Sequence, residues 1–417
     1  MKASFFKFNL LFVLVGVIST ASAEYMDRPT GIKVGQRMTL RPYVALSLTY
    51  DSNVDSQRES TAGSSWVVNP GMGLEYRGEN WQVAGSVWYQ YHAYNNYSTQ
   101  LNQSSYGEKL SFSWANSRPD ERGWSLMISE TFAQISQDDD MSNYSGRGIG
   151  RDRMTLQASG ILERRINEKV HGAAEAGYYL LDYENDISSY LPLYGWERTM
   201  VGGEIGFAPS RWTDFLLTAN YQWYTSDDVA GIDSVASQRY SRDSEGWSVM
   251  GGIGSRATER ISYRLLAGWS CFEYAEGVDD LDGWTYQISG NWKISDTWNT
   301  MLLASSYYQP SEREFGSAMR VDSVSWGLAH SLIRGKMTAS IDVNYRREEC
   351  EYSYDSRYAY TDNVLTGRIA LNYSINRYLQ LFGRVEYQSN MADGENRYRR
   401  TWDYDRFRGT IGLRLTY

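Results

Sequence analysis

The sequence predicts an all-β chain: a transmembrane antiparallel up-and-down β-barrel of about eighteen strands, with sixteen as the alternative count. Three observations predict it. Apolar and polar residues alternate with period two over one segment after another, which places one set of side chains on each face of a strand. Short polar turns recur at regular spacing. The chain is rich in Tyr (34), Trp (15) and Gly (37), yet its mean hydropathy is only −0.53. A barrel whose strands alternate between lipid and lumen has this composition, because the two faces cancel in any hydropathy window.

Residues 1–23 (MKASFFKFNLLFVLVGVISTASA) read as a signal peptide. Lys2 and Lys7 supply the positive end, Leu10 to Ile18 the apolar core, and Ala21-Ser22-Ala23 the small-residue cleavage site. An N-terminal membrane anchor fits less well, because the apolar core is short. Beyond residue 23 no apolar run approaches the ~18–20 residues of a spanning helix. Residues 24–40 are polar and unpatterned and read as a periplasmic lead-in to a barrel over 41–417.

From Arg41 onward the chain is a series of hairpins. Alternating segments cover 41–52, 65–77, 81–94, 105–116, 123–135 and 152–165. They continue over 170–184, 195–208, 213–226, 244–257, 261–274 and 283–294. The last six are 298–310, 320–333, 337–350, 363–375, 378–390 and 403–417. Turns such as Arg77-Gly78-Glu79-Asn80, Ile166-Asn167-Glu168-Lys169 and Ile375-Asn376-Arg377 join strands at one end. Longer loops rich in Asp, Asn and Ser, such as 137–150 and 227–242, join them at the other. An even strand number puts both chain ends on the short-turn side. A β-propeller also repeats at roughly 40–45 residues, but its blades carry four short strands where each repeat here holds two long ones. Trp284 to Ile294 shows the pattern best: Trp284, Tyr286, Ile288, Gly290, Trp292 and Ile294 share one face. Aromatic residues at both ends of an aliphatic middle are the arrangement of a lipid-facing strand.

The final strand, Tyr404 to Tyr417, alternates to its last residue. Thr410, Gly412, Leu415 and Tyr417 fill a polar–x–Gly–x–x–apolar–x–aromatic pattern, which resembles the terminal assembly signal of bacterial outer-membrane barrels. Tyr stands there in place of the commoner Phe. The opening stretch Arg41 to Val54 (RPYVALSLTYDSNV), with its Tyr50-Asp51-Ser52-Asn53-Val54 ending, resembles the first strand and loop of the β-barrel porin type 2 group of outer-membrane proteins. The turns Ile294-Ser295-Asp296 and Ile375-Asn376-Arg377 are similar in style. The resemblance implies an integral outer-membrane location in a Gram-negative cell, insertion by the barrel-assembly machinery, and contact with outer-membrane lipid. It further implies passage of carbohydrate or polysaccharide, alongside periplasmic export components. It carries no catalytic residues.

The formal charge of −9, without a Lys/Arg cluster, argues against nucleic acid as a partner. Cys271 and Cys350 fall four strands apart, roughly 19 Å, whereas a disulfide needs Cα atoms within ~7 Å, so two free thiols are expected. The Asp138–Asp140 and Asp279–Asp280 runs lack calcium-loop spacing and read as ordinary acidic loops; no metal and no cofactor are expected. Only His92, His171 and His330 are available for acid–base work. They lie on separate strands without a carboxylate beside His92, so an enzyme is not expected.

Alternation turns Arg346, Arg368, Arg384, Arg406, Arg408 and Arg414 into the lumen, with Glu163, Glu175 and Glu204 on strands roughly opposite. Two expectations follow: an arginine wall facing a glutamate wall, or charges neutralised locally by pairs such as Arg384 with Glu386 and Arg346 with Glu348. The functional expectation is an outer-membrane channel for hydrophilic solutes, including exopolysaccharide. A plugged structural or adhesive surface barrel is the alternative, and an outer-membrane hydrolase a more distant one.

Overall fold

The computed structural model describes residues 31–53, 62–95, 103–116, 123–135, 153–183, 195–210, 212–226, 243–255, 260–274, 280–310, 318–333, 336–351, 360–393 and 403–417. It contains nineteen strands and no helix among these residues. They are β1 (Ile32–Val34), β2 (Met38–Asp51), β3 (Gly63–Arg77), β4 (Trp81–Tyr94), β5 (Gln103–Ala115) and β6 (Gly123–Ile135). Next come β7 (Arg153–Arg165), β8 (Val170–Tyr183), β9 (Trp196–Ser210), β10 (Thr213–Ser226), β11 (Ser244–Ser255) and β12 (Ile261–Tyr274). The last are β13 (Leu281–Trp292), β14 (Trp298–Pro310), β15 (Ala318–Ile333), β16 (Met337–Glu351), β17 (Tyr360–Ser374), β18 (Leu379–Asp393) and β19 (Tyr404–Thr416).

From β2 each strand pairs antiparallel with its successor, and β19 returns to pair with β2. The sheet is therefore a closed ring of eighteen strands, and closure leaves no barrel edge free for another chain to pair with. The segments expected over 105–116 and 123–135 form two antiparallel paired strands, β5 and β6. The lead-in departs from its expected unpatterned character. Met38–Leu40 already belong to the first barrel strand, and Ile32–Val34 fold back on them through a turn in which Gly35 has φ 68°. That left-handed conformation suits glycine. The short strand covers the stretch of β2 below the point where β19 stops, at Thr416 opposite Tyr43.

The barrel strands hold 12 to 16 residues, more than the ~9–11 tilted residues that cross a bilayer. Their outward side chains are large and apolar and are not covered by the protein: Ile205 is 64%, Trp284 66% and Ile411 59% exposed. Trp81, Trp124, Trp292 and Trp298 mark the turn end of this surface, and Tyr89, Tyr106, Trp247, Trp269 and Tyr387 its loop-side half. An apolar band between two aromatic girdles is the surface that lipid requires. The core is correspondingly displaced to the lumen side. Leu181, Trp196, Tyr224 and Phe272 pack together there, as do Leu216, Met250 and Leu266.

One ladder is incomplete. β13 and β14 pair only from Tyr286 opposite Ser306 down to the turn. Above that point Leu281 and Tyr308 both pack on the Trp196–Tyr224–Phe272 cluster, and a Cβ at Gly283 would lie 2.8 Å from the Tyr308 hydroxyl.

Candidate functional site: the barrel lumen

The lumen wall is the inward half of every strand, so period two decides its composition. The register places Arg346, Arg368, Arg384, Arg406, Arg408 and Arg414 on the face opposite to the exposed Val343, Ile369, Val385, Phe407 and Leu413. Glu163, Glu175 and Glu204 are likewise opposite to the exposed Leu162 and Ile205.

The arginine side is not a bare positive wall. Asp51, at the end of β2, takes Arg406 in a fork: Nε donates to Oδ1 at 3.0 Å and Nη2 to Oδ2 at 2.6 Å. Arg408 Nε donates to the same Oδ2 at 3.0 Å. All three side chains are at most 6% exposed. Arg368 Nε donates to Glu386 Oε1 at 2.6 Å, while Arg384 Nε lies 3.7 Å from Oε2. Arg346 pairs with Glu348 at 2.7 Å. Arg414 stacks its guanidinium over Tyr43, 4.2 Å from the ring centre. Local pairing thus offsets part of the arginine wall: three carboxylates, Asp51, Glu348 and Glu386, engage five of the six arginines. Of the two pairs anticipated from sequence, Arg346–Glu348 forms as expected. Glu386 divides between Arg384 and the shorter contact to Arg368, across the strand.

On the other side, Glu204 pairs with Arg264 at 2.7 Å. His171 Nε2 lies 3.5 Å from Asp214 and 3.9 Å from Glu204. Glu163 accepts from Ser125 Oγ at 3.3 Å. Glu175 fits because residue 202 is Gly: a Cβ there would lie 2.8 Å from Glu175 Oε1. Residues overlooked in the sequence are Asp51, Arg198 and Arg264. Parity puts all three inward, but only the register shows what they meet.

Exposure differs along the lumen. Inward residues near the loop end are buried: Ser65, Ser105, Phe272, Met319, Glu348 and Asp362 are all at most 1% exposed. Nearer the turn end Lys109 is exposed and the Arg384 side chain is 43% exposed.

The other two histidines lie apart from His171, on β4 and β15. Buried His92 has Ser65 Oγ 3.4 Å from Nδ1 and the Gln90 amide 2.8 Å from Nε2. His330 faces outward and stacks on Trp298 at 3.8 Å. No three His, Cys, Asp or Glu side chains converge as a metal site among the described residues. Cys271 and Cys350 are both free thiols, on β12 and β16. In the terminal strand Thr410 and Gly412 face inward and Leu415 outward; Thr410 hydrogen-bonds Thr49 across the seam at 3.1 Å. Tyr417 donates its backbone N–H to Pro42 O at 3.0 Å and stacks on Tyr378. Ala21, Ala23, Asp138–Asp140 and the 227–242 loop lie outside the described residues.

Among solved structures, the chain is similar to the outer membrane channel DcaP of Acinetobacter baumannii, at 11% identity and TM-score 0.43, covering 93% of this chain and 100% of that one. It is also similar to the outer membrane protein opdK of Pseudomonas aeruginosa (11%, TM-score 0.42, covering 91% and 99%). The siderophore receptor PirA of Pseudomonas aeruginosa is a third (9%, TM-score 0.41, covering 93% and 81%). No curated protein sequence matches the chain. Residues 211–417, from β10 to the final strand, match the family model described as "Putative beta-barrel porin 2", and over this half the chain belongs to that porin family.

Proposed function

We propose that the chain is an outer-membrane channel for hydrophilic solutes, with neutral carbohydrate, including exopolysaccharide, as its cargo. The observation that carries this is a polar lumen inside a closed eighteen-strand ring, with five of its arginines engaged locally by Asp51, Glu348 and Glu386. A ring of this size is wide enough to hold an aqueous channel. Local pairing weakens the field along the wall, so the passage admits uncharged polar solutes. The match to a porin family supports a transporter rather than an enzyme. On this reading residues 1–23 are removed on export, the barrel-assembly machinery reads the Thr410–Tyr417 ending, and the short turns face the periplasm, where export components dock.

A second reading is favoured by the buried inward residues at the loop end: the barrel rests closed on the outside and opens on demand, or serves as a plugged surface protein. Liposome swelling with neutral sugars separates the two. Swelling that depends on the reconstituted protein supports the channel; its absence favours the closed barrel.

A further inference from the structure

We infer that the recess of the lumen between β7 and β14 is a binding site for a neutral, polyhydroxylated solute, a sugar. This rests on the channel reading above and adds to it a place where cargo is held.

The chemistry of the recess is what singles out the ligand. The groups lining it are mainly neutral amides and hydroxyls from successive strands: Gln157 on β7, Asn220 and Gln222 on β10, Ser270 on β12 and Gln287 on β13. Each amide offers both a donor and an acceptor, which suits hydroxyl groups that are both at once. The charged members are two acids and two bases, Glu175, Glu204, Arg198 and Arg264, whose formal charges cancel, and Glu204 pairs with Arg264 at 2.7 Å. On the loop side the rings of Tyr224 and Tyr308 line the recess, backed by Trp196 and Phe272. Such rings give an apolar C–H face of a sugar somewhere to lie.

Two features indicate a recess that is made ready rather than filled. Glycine holds the wall back where a side chain would close it: a Cβ at Gly246 would come within 3.2 Å of both Gln222 Nε2 and Phe272 Cδ2. Ser270, only 7% exposed, has a hydroxyl without a hydrogen-bond partner, as does the indole N–H of Trp196 at 4%. Buried polar groups are ordinarily satisfied, and a hydroxylated ligand supplies what Ser270 lacks. An apolar ligand would not engage the row of amides, and a charged one would meet acids and bases in equal number.

The test is calorimetric titration of the refolded full chain in detergent micelles, which does not require that the barrel conduct. The probes are neutral tetrasaccharides of glucose, mannose, galactose and N-acetylglucosamine. The expected result is saturable binding of at least one, weakened about tenfold or more by Gln222→Leu and by Ser270→Ala, in keeping with the loss of a ligand hydrogen bond. Ser340→Ala on the distant β16 should bind like the unaltered chain. If Gln222→Leu does not refold, Ser270→Ala decides. No binding by any probe, or equal affinity in the recess variants, overturns the site. Because binding and flux are read separately, binding without swelling would instead count against the channel.

Discussion

Removing the Asp51 carboxylate should unfasten the barrel at its seam. Asp51 is 3% exposed and holds two guanidiniums, Arg406 at 4% and Arg408 at 5% exposure. The pairs join residues 355 and 357 positions apart, across the β19–β2 ladder that closes the ring. Deleting one partner of a buried ion pair costs ~3–5 kcal/mol, chiefly because the remaining charge is left buried and unpaired. Here two charges are left, so Asp51→Ala should fall in the upper part of that range. With a urea slope of about 3 kcal/mol/M, the unfolding midpoint should drop by roughly 1.3–1.7 M. The assay is urea unfolding in detergent micelles, followed by tryptophan emission and by heat-modifiable migration on gels. A triple variant, Asp51→Ala with Arg406→Met and Arg408→Met, should recover much of the loss, since replacing a whole buried ionic group by apolar side chains is often nearly neutral. A cost below about 1 kcal/mol for Asp51→Ala, or no recovery in the triple variant, would refute the clasp.

Other consequences follow from the same geometry. Glu386→Gln leaves Arg368 and Arg384 without their shared carboxylate, so the salt-gradient reversal potential should move towards anion preference. Arg384→Gln should move it the other way. Gly412→Val should impair assembly, because a Cβ there would lie 2.6 Å from Leu46 O and 2.5 Å from the Phe382 ring; the folded fraction on unheated gels reads this directly. Ile411→Arg places a charge on the lipid face and should destabilise by ~2–4 kcal/mol if it lies near the bilayer midplane. Thr416→Arg, on the lumen face close to the turn end, should cost far less in the same urea assay.

The fold was largely legible because one rule, alternation with period two, acts independently on each strand. It yields the ring size from Arg41 to Tyr417 and the inward set from Glu163 to Arg414 without knowledge of which strands touch. What alternation does not contain is register. Arg384 and Glu386 share a strand and were readable as neighbours, whereas the shorter contact of Glu386 to Arg368 depends on the β17–β18 pairing. Asp51 illustrates the limit most plainly. Its place in the Tyr50-Asp51-Ser52-Asn53 stretch was visible, but its role appears only when the last strand returns to the first. The burial of loop-side lumen residues such as Met319 and Glu348 was equally unreadable, because it depends on the closed shape of the ring and not on any local pattern.

A closed ring whose lumen arginines are mostly engaged by carboxylates should conduct polar solutes. Single-channel recording of the refolded full chain in a planar bilayer, with a salt gradient and then with neutral tetrasaccharide added to one side, tests it most directly. A steady conductance with weak charge preference, interrupted by sugar, is the predicted result. A bilayer that stays silent, or a strongly ion-selective current indifferent to sugar, would contradict it.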